Sequence, residues 1–212
     1  SLTDQNICTT DLERKIDKSV KAILCVHLAG APCDMVKIMK LAKRYNLKVI
    51  EDCSQAHGSS IDKKKVGSFG DLSVFSFCND KIISAGEGGI ICFKDKKYFS
   101  KIWSLKDNGK NYLKVVSPIK KEGFQWFHDT IGTNARMTEI QSALILKQLS
   151  SLDKIINQRI NNSKVLNNYF KKIKCLKIPF IKKSYKHSFY RYTLIINFDL
   201  IDPRYNQTRV IF

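Results

Sequence analysis

Residues 71–89 read DLSVFSFCNDKIISAGEGG, and the rest of the chain is organised around this stretch. Its apolar run at 72–77 has the length and aromatic content of a buried strand, and a polar turn carrying Lys81 follows it. A glycine cluster at 86–89 then permits tight turning before a second apolar run at 90–93. The stretch therefore predicts two strands, joined by a loop that carries Lys81 and a glycine turn. A solvated surface lysine is the simpler alternative for this segment taken alone.

A second informative segment, KVIEDCSQAHG at 48–58, places acidic side chains at the end of a strand. A short buried strand ends at the pair Glu51 and Asp52, and the loop after it carries Gln55. In open α/β sheets, ligands gather at the carboxyl ends of the strands. A carboxylate at one strand end and Lys81 beyond another suit pyridoxal phosphate, which needs a lysine for covalent attachment and an acid for its pyridinium nitrogen.

The order of predicted elements indicates an α/β protein. A buried strand at 21–27 is followed by apolar residues at helical spacing over 33–45, and the strand at 48–50 comes directly afterwards. A strand, helix and strand of these lengths form a βαβ unit, so we expect a largely parallel sheet flanked by helices.

The strongest helix prediction covers residues 137–156, where Thr138 can cap the first turn. Residues 159–173 continue the helical pattern, and 190–198 (YRYTLIINF) read as a strand. We place a domain boundary within the long helix, with a large cofactor-binding domain at 1–152 and a smaller α/β domain at 153–212. A further helix is expected near 10–19, another at 97–106, and a long irregular excursion at 107–133.

Composition indicates a globular, cytoplasmic protein. Hydrophobic residues make up 43% and charged residues 26%, which is ordinary for a folded domain. No apolar run approaches the ~20 residues that span a bilayer, and the first residues do not resemble a signal peptide. The seven cysteines are scattered without a C-x-x-C pair, so we expect reduced thiols and no metal site.

The net charge of +18 is the one unusual feature of the composition. It would permit nucleic-acid binding, but the lysines are spread along the chain and no nucleic-acid motif accompanies them. A solvated lysine-rich surface is therefore the favoured interpretation, with neither nucleic acid nor membrane as a partner. Such a surface would also attract an anionic nucleotide-sugar.

Three segments, EDCSQAHGSS, KKVGSFGDLSVFSFCNDKIISAGEGGI and GTNARMTEIQSALILKQLSSLDKII, together resemble the sugar aminotransferases of the DegT/DnrJ/EryC1/StrS family. The likeness runs in order through nearly the whole chain. It implies the type I pyridoxal phosphate fold, with a large domain followed by a truncated smaller one. It also implies an aminotransferase that moves an amino group, with glutamate as the expected donor, onto a keto group of a nucleotide-linked deoxysugar in polysaccharide or related sugar biosynthesis.

The resemblance assigns a role to each of five residues. Lys81 would attach the cofactor and, as a free amine, transfer the proton. Asp52 would keep the pyridinium nitrogen protonated, and Gln55 would hydrogen-bond the 3-hydroxyl of the ring. Ser76 matches a hydroxyl that binds the cofactor phosphate. Asn134 resembles an asparagine that reaches the phosphate in the neighbouring subunit, which implies a homodimer with shared active sites.

Alternatives stay open at several positions. Ser76 reads equally as a buried strand serine and Asn134 as a turn residue, whereas packing or structural roles suit His57 and His187, and Arg136 is a candidate interface residue. The loop aromatics are expected chiefly to pack the excursion down, with substrate or subunit contact as the alternative; they are Phe124, Trp126, Phe127 and His128.

Two departures from the family pattern bear on function. Asn108 stands where the family usually has a histidine, and the phosphate-binding cup and the ring-stacking aromatic lie, in the family, upstream of this chain. We therefore expect a piece of a longer protein, lacking the N-terminal part of its large domain. A sugar dehydratase of the same fold is the nearest alternative, but it carries histidine in place of Lys81. An inactive regulatory or scaffold member is the other.

Overall fold

The computed structural model describes residues 4–117, 123 and 125–201. In chain order the helices and strands are α1 (Thr9–Lys15), β1 (Ala22–Val26), α2 (Met35–Arg44), β2 (Lys48–Asp52), β3 (Ser60–Ile61), β4 (Lys64–Lys65), β5 (Leu72–Ser76), β6 (Gly89–Phe93), α3 (Phe99–Lys106), α4 (Tyr112–Val116), α5 (Glu139–Leu149), α6 (Leu152–Phe170), β7 (Leu176–Lys177), β8 (Tyr185–Lys186) and β9 (Ile195–Ile196). Single turns of 3-10 helix lie at Leu28–Gly30, Lys96–Tyr98 and Phe198–Leu200.

The main sheet has four strands in the order β1-β2-β5-β6. The first three strands are parallel, and β6 returns antiparallel to β5 across the glycine turn. This arrangement confirms the predicted α/β class, the βαβ unit and the strands on either side of Lys81. The register places Asp52 between Val26 of β1 and Val74 of β5.

Helix α2 covers one face of this sheet because its apolar residues recur at helical spacing. Asp34 caps the helix by accepting the Lys37 N–H at 3.3 Å. Its buried side chains include Met35 and Ile38, which pack against Ile23 and Val49 of the sheet. This cluster is the main hydrophobic core.

The two faces of the main sheet differ in exposure. Alternate residues of a strand point to opposite faces. One face is buried against the core and carries Ile23, Cys25, Val49, Glu51 and Ser73. The opposite face, here called the open face, carries Leu24, Val26, Ile50, Asp52, Val74 and Ile91. Leu24 is 59% exposed and Ile91 46% exposed. The neighbouring acids Glu51 and Asp52 therefore lie on opposite sides of the sheet.

The predicted long helix at 137–156 begins as expected but is interrupted. Thr138 and Gln141 form a reciprocal capping box at the start of α5. The prediction of one continuous helix is wrong, because α5 ends at Leu149 and α6 begins at Leu152. Residues of both helices pack on the end of the main sheet, and they include Ile145, Leu152 and Ile155.

The predicted strand at 190–198 is also wrong over most of its length, since only Ile195–Ile196 pairs as a strand. Just before this segment, β8 pairs with β3. This pairing brings the C-terminal part of the chain back onto the loop that follows β2.

Other predicted elements are shorter than expected or interrupted. The first helix ends at Lys15, and the excursion at 107–133 contains α4 as well as an isolated pairing between Lys110 and His128. Phe124 lies outside the described residues. Across the ranges that the structure describes, no helix is both long and apolar enough to cross a membrane.

Candidate cofactor site

Asp52 is the last residue of β2 and projects from the open face of the sheet. Its Oδ1 accepts the Ser54 N–H at 2.9 Å. Its other oxygen, Oδ2, has no hydrogen-bond partner in the part of the chain that the structure describes. A half-buried carboxylate with one oxygen anchored and the other available can pair with a cationic ring nitrogen.

Gln55 lies three residues further on, and its amide is oriented by the backbone. Its Oε1 accepts the Ala29 N–H at 2.7 Å. Because a backbone N–H can only donate, the oxygen of Gln55 must face Ala29, and the NH2 group is the end left for a ligand. Ala29 itself has a φ of 56°, an uncommon backbone conformation for a residue with a side chain.

Lys81 follows β5 in the predicted loop, and its amine is held by two neighbours. Its Nζ lies 3.3 Å from Asp80 Oδ1 and 3.5 Å from the Tyr190 hydroxyl, and the side chain is only 15% exposed. Burial by itself lowers the pKa of Lys81, but the hydrogen bonds to Asp80 and Tyr190 outweigh it and leave the pKa raised. The resting amine is therefore held as an ammonium.

Sequence reasoning did not identify Tyr190 as part of this site. The residue lies 109 positions from Lys81 and falls inside the segment predicted as a strand. Nothing in the local spacing of HSFYRY shows which loop it will meet. The only signal was the density of aromatic residues in that short segment.

Ser76, the last residue of β5, projects from the same face as Asp52. Its Oγ accepts the Cys78 N–H at 3.3 Å and lies 3.1 Å from the Cys78 thiol. That thiol in turn lies 3.2 Å from Glu87 Oε2. The hydroxyl is half-buried and stands at the mouth of the loop that carries Lys81, where a phosphate oxygen could reach it.

Asn134 lies in the segment just before α5. It is exposed, and its backbone pairs with that of Asp107. Among the described residues, no hydrogen bond or ion pair joins its side chain to the cluster around Lys81. Its neighbour Arg136 lies 3.6 Å from the buried Asp107 carboxylate, which holds this part of the chain in place.

His57 is buried beside the C-terminal end of β5, with 3% of its surface exposed. Its ring lies 5.5 Å from the ring of Phe75 and 5.8 Å from that of Phe77. Neither ring nitrogen reaches hydrogen-bond geometry with a described residue, although the Ser76 backbone is near. Burial lowers the pKa of His57 to about 4, and the Ser76 backbone opposes only part of that shift. The imidazole is therefore neutral at physiological pH.

Glu51 has a structural role that the sequence did not reveal. Its carboxylate accepts the N–H groups of Gly67, Phe69 and Gly70 at 2.6 to 2.7 Å and lies 3.1 Å from His27 Nε2. Burial alone raises the pKa of Glu51, but the donors from His27, Gly70 and Gly67 offset this and leave the pKa below its usual value.

A group of potential metal ligands surrounds this acid. Atoms of His27, Glu51 and Cys53 lie within 4.8 Å of one another. The imidazole already accepts the Cys33 N–H at Nδ1, and the carboxylate is saturated with donors. The cluster therefore holds the loop at 67–70 against the buried face of β2.

The residues fit pyridoxal phosphate as a set. An available carboxylate oxygen on Asp52, an available amide NH2 on Gln55 and the amine of Lys81 all lie just beyond the carboxyl ends of the adjacent strands β2 and β5. This edge of a parallel sheet is where α/β proteins bind their ligands.

Comparisons with known proteins identify the family of this chain. A family model described as the DegT/DnrJ/EryC1/StrS aminotransferase family matches residues 2–207. GDP-perosamine synthase of Escherichia coli O157:H7 is 45% identical over 150 residues, which cover 71% of this chain and 38% of that protein. The dTDP-3-amino-3,6-dideoxy-alpha-D-galactopyranose transaminase of Aneurinibacillus thermoaerophilus is 39% identical over 149 residues, which cover 70% of this chain and 38% of that protein.

A solved structure shows the same fold. The X-ray structure of the aminotransferase from Psychrobacter cryohalolentis superposes with a TM-score of 0.90 at 35% sequence identity, covering 96% of this chain and 54% of that one. This chain therefore spans about half, or less, of the length of these three proteins. The family predicted from the sequence motifs is confirmed.

Proposed function

This chain belongs to the DegT/DnrJ/EryC1/StrS aminotransferase family, and on that premise we propose that the protein is a pyridoxal phosphate-dependent sugar aminotransferase. It transfers an amino group from glutamate to a keto group of a nucleotide-linked deoxysugar. The observation that supports the proposal is that Asp52, Gln55 and Lys81 follow one another at the carboxyl ends of the adjacent strands β2 and β5, with Asp52 Oδ2 and the Gln55 NH2 group left without a partner among the described residues.

Each of these residues would hold a different part of the cofactor. Lys81 Nζ would be the point of covalent attachment, Asp52 would keep the proton on the ring nitrogen, and the Gln55 NH2 would donate to the 3-oxygen of the ring. Ser76 Oγ would contact the phosphate. Pyridoxal phosphate, when bound, supplies the electron sink that makes a carbon–hydrogen bond next to an amine labile. The free amine of Lys81 would accept and return that proton.

The contrast between Glu51 and Asp52 supports this assignment. Both acids sit at the end of β2, but Glu51 is saturated by protein donors on the buried face, whereas Asp52 keeps an oxygen available on the open face. Asp52 is therefore the acid left for a ligand.

The substrate class is inferred from charge and from the relatives. Two relatives are named for sugars linked to GDP and to dTDP, both of which carry a negatively charged diphosphate. The chain has a net charge of +18, which would draw such an anion towards the protein. We accordingly propose a nucleotide-linked ketosugar as the amino acceptor.

A homodimer with shared sites is part of the proposal. Asn134 is exposed, and its side chain has no hydrogen bond to the other site residues in the part of the chain that the structure describes. Apolar side chains one turn apart on the nearby helix α5 are also exposed, with Ile140 at 76% and Leu144 at 50%. A helix face of this kind marks an interaction surface. A second copy packed there would cover the apolar residues and bring Asn134 towards its neighbour's cofactor.

The test is to locate the cofactor chemically. The complete protein that contains this chain is incubated with pyridoxal phosphate, reduced with borohydride and digested, and the labelled peptide is identified by mass spectrometry. We expect the label on Lys81, and we expect Lys81→Ala to lose both the label and transamination while remaining folded. Lys97→Ala is a matched control, because Lys97 also pairs with a nearby aspartate but is 60% exposed. Label on another lysine, or full transamination by Lys81→Ala, would overturn the proposal.

A further inference from the structure

Tyr190 meets Lys81 directly. Its phenol oxygen lies 3.5 Å from Lys81 Nζ, and the centre of its ring is 5.0 Å from the same atom. The hydroxyl also donates a hydrogen bond to Asp80 Oδ2. Building on the proposed function, we propose that Tyr190 is a positioning residue for Lys81, which holds the amine over the site by bridging it to Asp80.

The hydroxyl of Tyr190 makes both of these polar contacts. Lys81 donates to the phenol oxygen while the phenol proton goes to Asp80, so the hydroxyl links a cation to an anion. The aromatic ring adds a second attraction, because its face is electron-rich and lies beside the ammonium. Tyr190 is only 8% exposed, so these contacts are shielded from water on one side. A residue that served only to fill space would need the ring alone.

A short segment at 187–191, here called the clasp, fixes the position of Tyr190. Within it, the Ser188 N–H donates to Gly30 O at 3.2 Å, and the Arg191 N–H donates to Ala29 O at 3.2 Å. A Cβ atom on Gly30 would lie 2.5 Å from Ser188 Oγ and 3.0 Å from Tyr190 N. The clasp therefore packs so closely against Gly30 that a larger residue would not fit there.

The clasp is secured from its other side by α6. Arg159 Nη1 donates to Phe189 O at 3.0 Å and lies 3.5 Å from Tyr190 O. Phe189 has a φ of 50°, an uncommon conformation that these contacts maintain. The backbone of Tyr190 is thus held from two directions, which leaves its side chain little freedom to leave Lys81.

The clasp also joins the two halves of the proposed site. Ala29, which accepts the Arg191 N–H, donates its own N–H to Gln55. The residue expected to contact the 3-oxygen of the cofactor and the residue that holds Lys81 are therefore anchored to the same turn. Displacement of the clasp would disturb both.

The charges around the amine are consistent with this role. The Tyr190 hydroxyl is the strongest influence on Asp80 and holds the pKa of that carboxyl below its usual value. The Arg191 guanidinium lies 5.3 Å from the centre of the Tyr190 ring, and His57 beside the end of β5 is neutral. Asp80 is therefore the anion that balances Lys81 through a direct pair, and the Tyr190 hydroxyl contacts both groups.

The experiment measures the chemical state of Lys81 before any cofactor is added. The protein without cofactor is acetylated with trace acetic anhydride across a range of pH, and the labelling of the Lys81 peptide is compared with that of Lys97 in the same sample. Tyr190→Phe keeps the ring and removes the hydroxyl. We expect Lys81 to lose part of its stabilisation as an ammonium and to label on the order of three- to tenfold faster at a fixed pH below its pKa.

Tyr192→Phe is the matched control, because the Tyr192 hydroxyl contacts Asn167 at 2.6 Å and belongs to the same segment of chain. It should leave the labelling of Lys81 unchanged. A Tyr190→Phe protein that labels like wild type would overturn the proposal. If circular dichroism shows that Tyr190→Phe is unfolded, Asp80→Asn replaces it, since Asp80 is 50% exposed. Unchanged Lys81 labelling in Asp80→Asn would overturn the proposal equally.

The same samples separate this inference from the proposed function. Pyridoxal phosphate and borohydride are added after the acetylation series has been measured on a parallel aliquot. If Tyr190→Phe changes Lys81 labelling but wild type takes up no cofactor at Lys81, the contact stands and the aminotransferase proposal fails. If wild type takes up cofactor at Lys81 and Tyr190→Phe does not change its labelling, only the positioning role fails.

Discussion

Replacement of Glu51 by glutamine tests the structural half of the acidic pair on β2. The two carboxylate oxygens divide four donors between them. Oε1 accepts the N–H groups of Phe69 and Gly70 at 2.7 and 2.6 Å. Oε2 accepts the Gly67 N–H at 2.7 Å and lies 3.1 Å from His27 Nε2. Glutamine has the same shape but only one oxygen, so it cannot satisfy both pairs.

The magnitude follows from this count. Whichever way the introduced side-chain amide faces, its NH2 group is directed at two donors, and two hydrogen bonds are lost. A hydrogen bond to a charged group contributes about 1.5 to 3 kcal/mol. His27 cannot relieve the conflict without loss, because its Nδ1 accepts the Cys33 N–H at 3.0 Å and so fixes the proton on Nε2. We therefore expect Glu51→Gln to lower the free energy of unfolding by about 3 to 6 kcal/mol.

The assay is urea unfolding at pH 7, followed by circular dichroism. Glu13→Gln is the matched control, because Glu13 pairs with Arg44 at 2.6 Å but its side chain is 41% exposed. Loss of a surface pair should change stability by less than about 1 kcal/mol. Amide hydrogen exchange should show faster opening at 67–70 in Glu51→Gln. A Glu51→Gln protein within about 1 kcal/mol of wild type would refute the reasoning, because the carboxylate would then not be holding the loop.

Two further predictions concern Asp52 and the buried histidines. With cofactor bound and excess amino donor, Asp52→Asn should slow single-turnover conversion by roughly thirtyfold to a thousandfold, because one preorganised electrostatic partner is lost. The free energy of unfolding should stay within about 0.5 kcal/mol of wild type. An unchanged rate would make Asp52 a strand-end cap only. Burial lowers the pKa of His57 and of His187 from 6.5 to about 4. As the pH falls, these histidines therefore bind protons in the unfolded chain at a higher pH than in the folded protein. The free energy of unfolding should therefore decrease between pH 6.5 and 4, each histidine contributing on the order of 1 to 3 kcal/mol, and His187→Asn should make that decrease shallower in pH-dependent urea unfolding. An equally steep decrease in the variant would contradict this account.

The parts of the fold that could be predicted from the sequence are those with strong local patterns. The apolar runs that became β1, β5 and β6 have the length of strands, and the spacing in α2 buries one helical face. The lysine and the acid at successive strand ends could be placed together because parallel strands end at a common edge. These inferences need only short windows of sequence and one topological rule.

The predictions that failed involve distant contacts. The segment at 190–198 is rich in aromatic and β-branched residues, as strands are, but its first two residues belong to the clasp, where the chain leaves Phe189 with a positive φ and does not pair as a strand. The contacts that maintain this conformation come from Gly30 and Arg159, far away in the chain. Tertiary contacts overrode a local preference here, as they often do for strands.

The break between α5 and α6 has a similar origin. Ser150 and Ser151 continue a helical pattern in the sequence, yet the chain turns there so that Ile145 and Leu152 both pack against the end of the sheet. The predicted domain boundary lies at this break. The division into domains at 152 and 153 stays a prediction. In the described part of the chain, β8 from the second part pairs with β3 from the first part.

The acidic pair shows why residue type alone could not separate structural groups from functional ones. Glu51 and Asp52 are adjacent, have the same charge and end the same strand. Their roles differ because the strand alternates its side chains, so that one acid faces a loop rich in N–H donors and the other faces the open side of the sheet. Glu51 is saturated by hydrogen bonds, whereas Asp52 Oδ2 has no partner among the described residues, and this contrast supports the proposed role of Asp52. Lys81 differs from Asp52 in this respect, because Asp80 and Tyr190 both contact its amine, and a cofactor attached at Lys81 as proposed would have to displace these contacts.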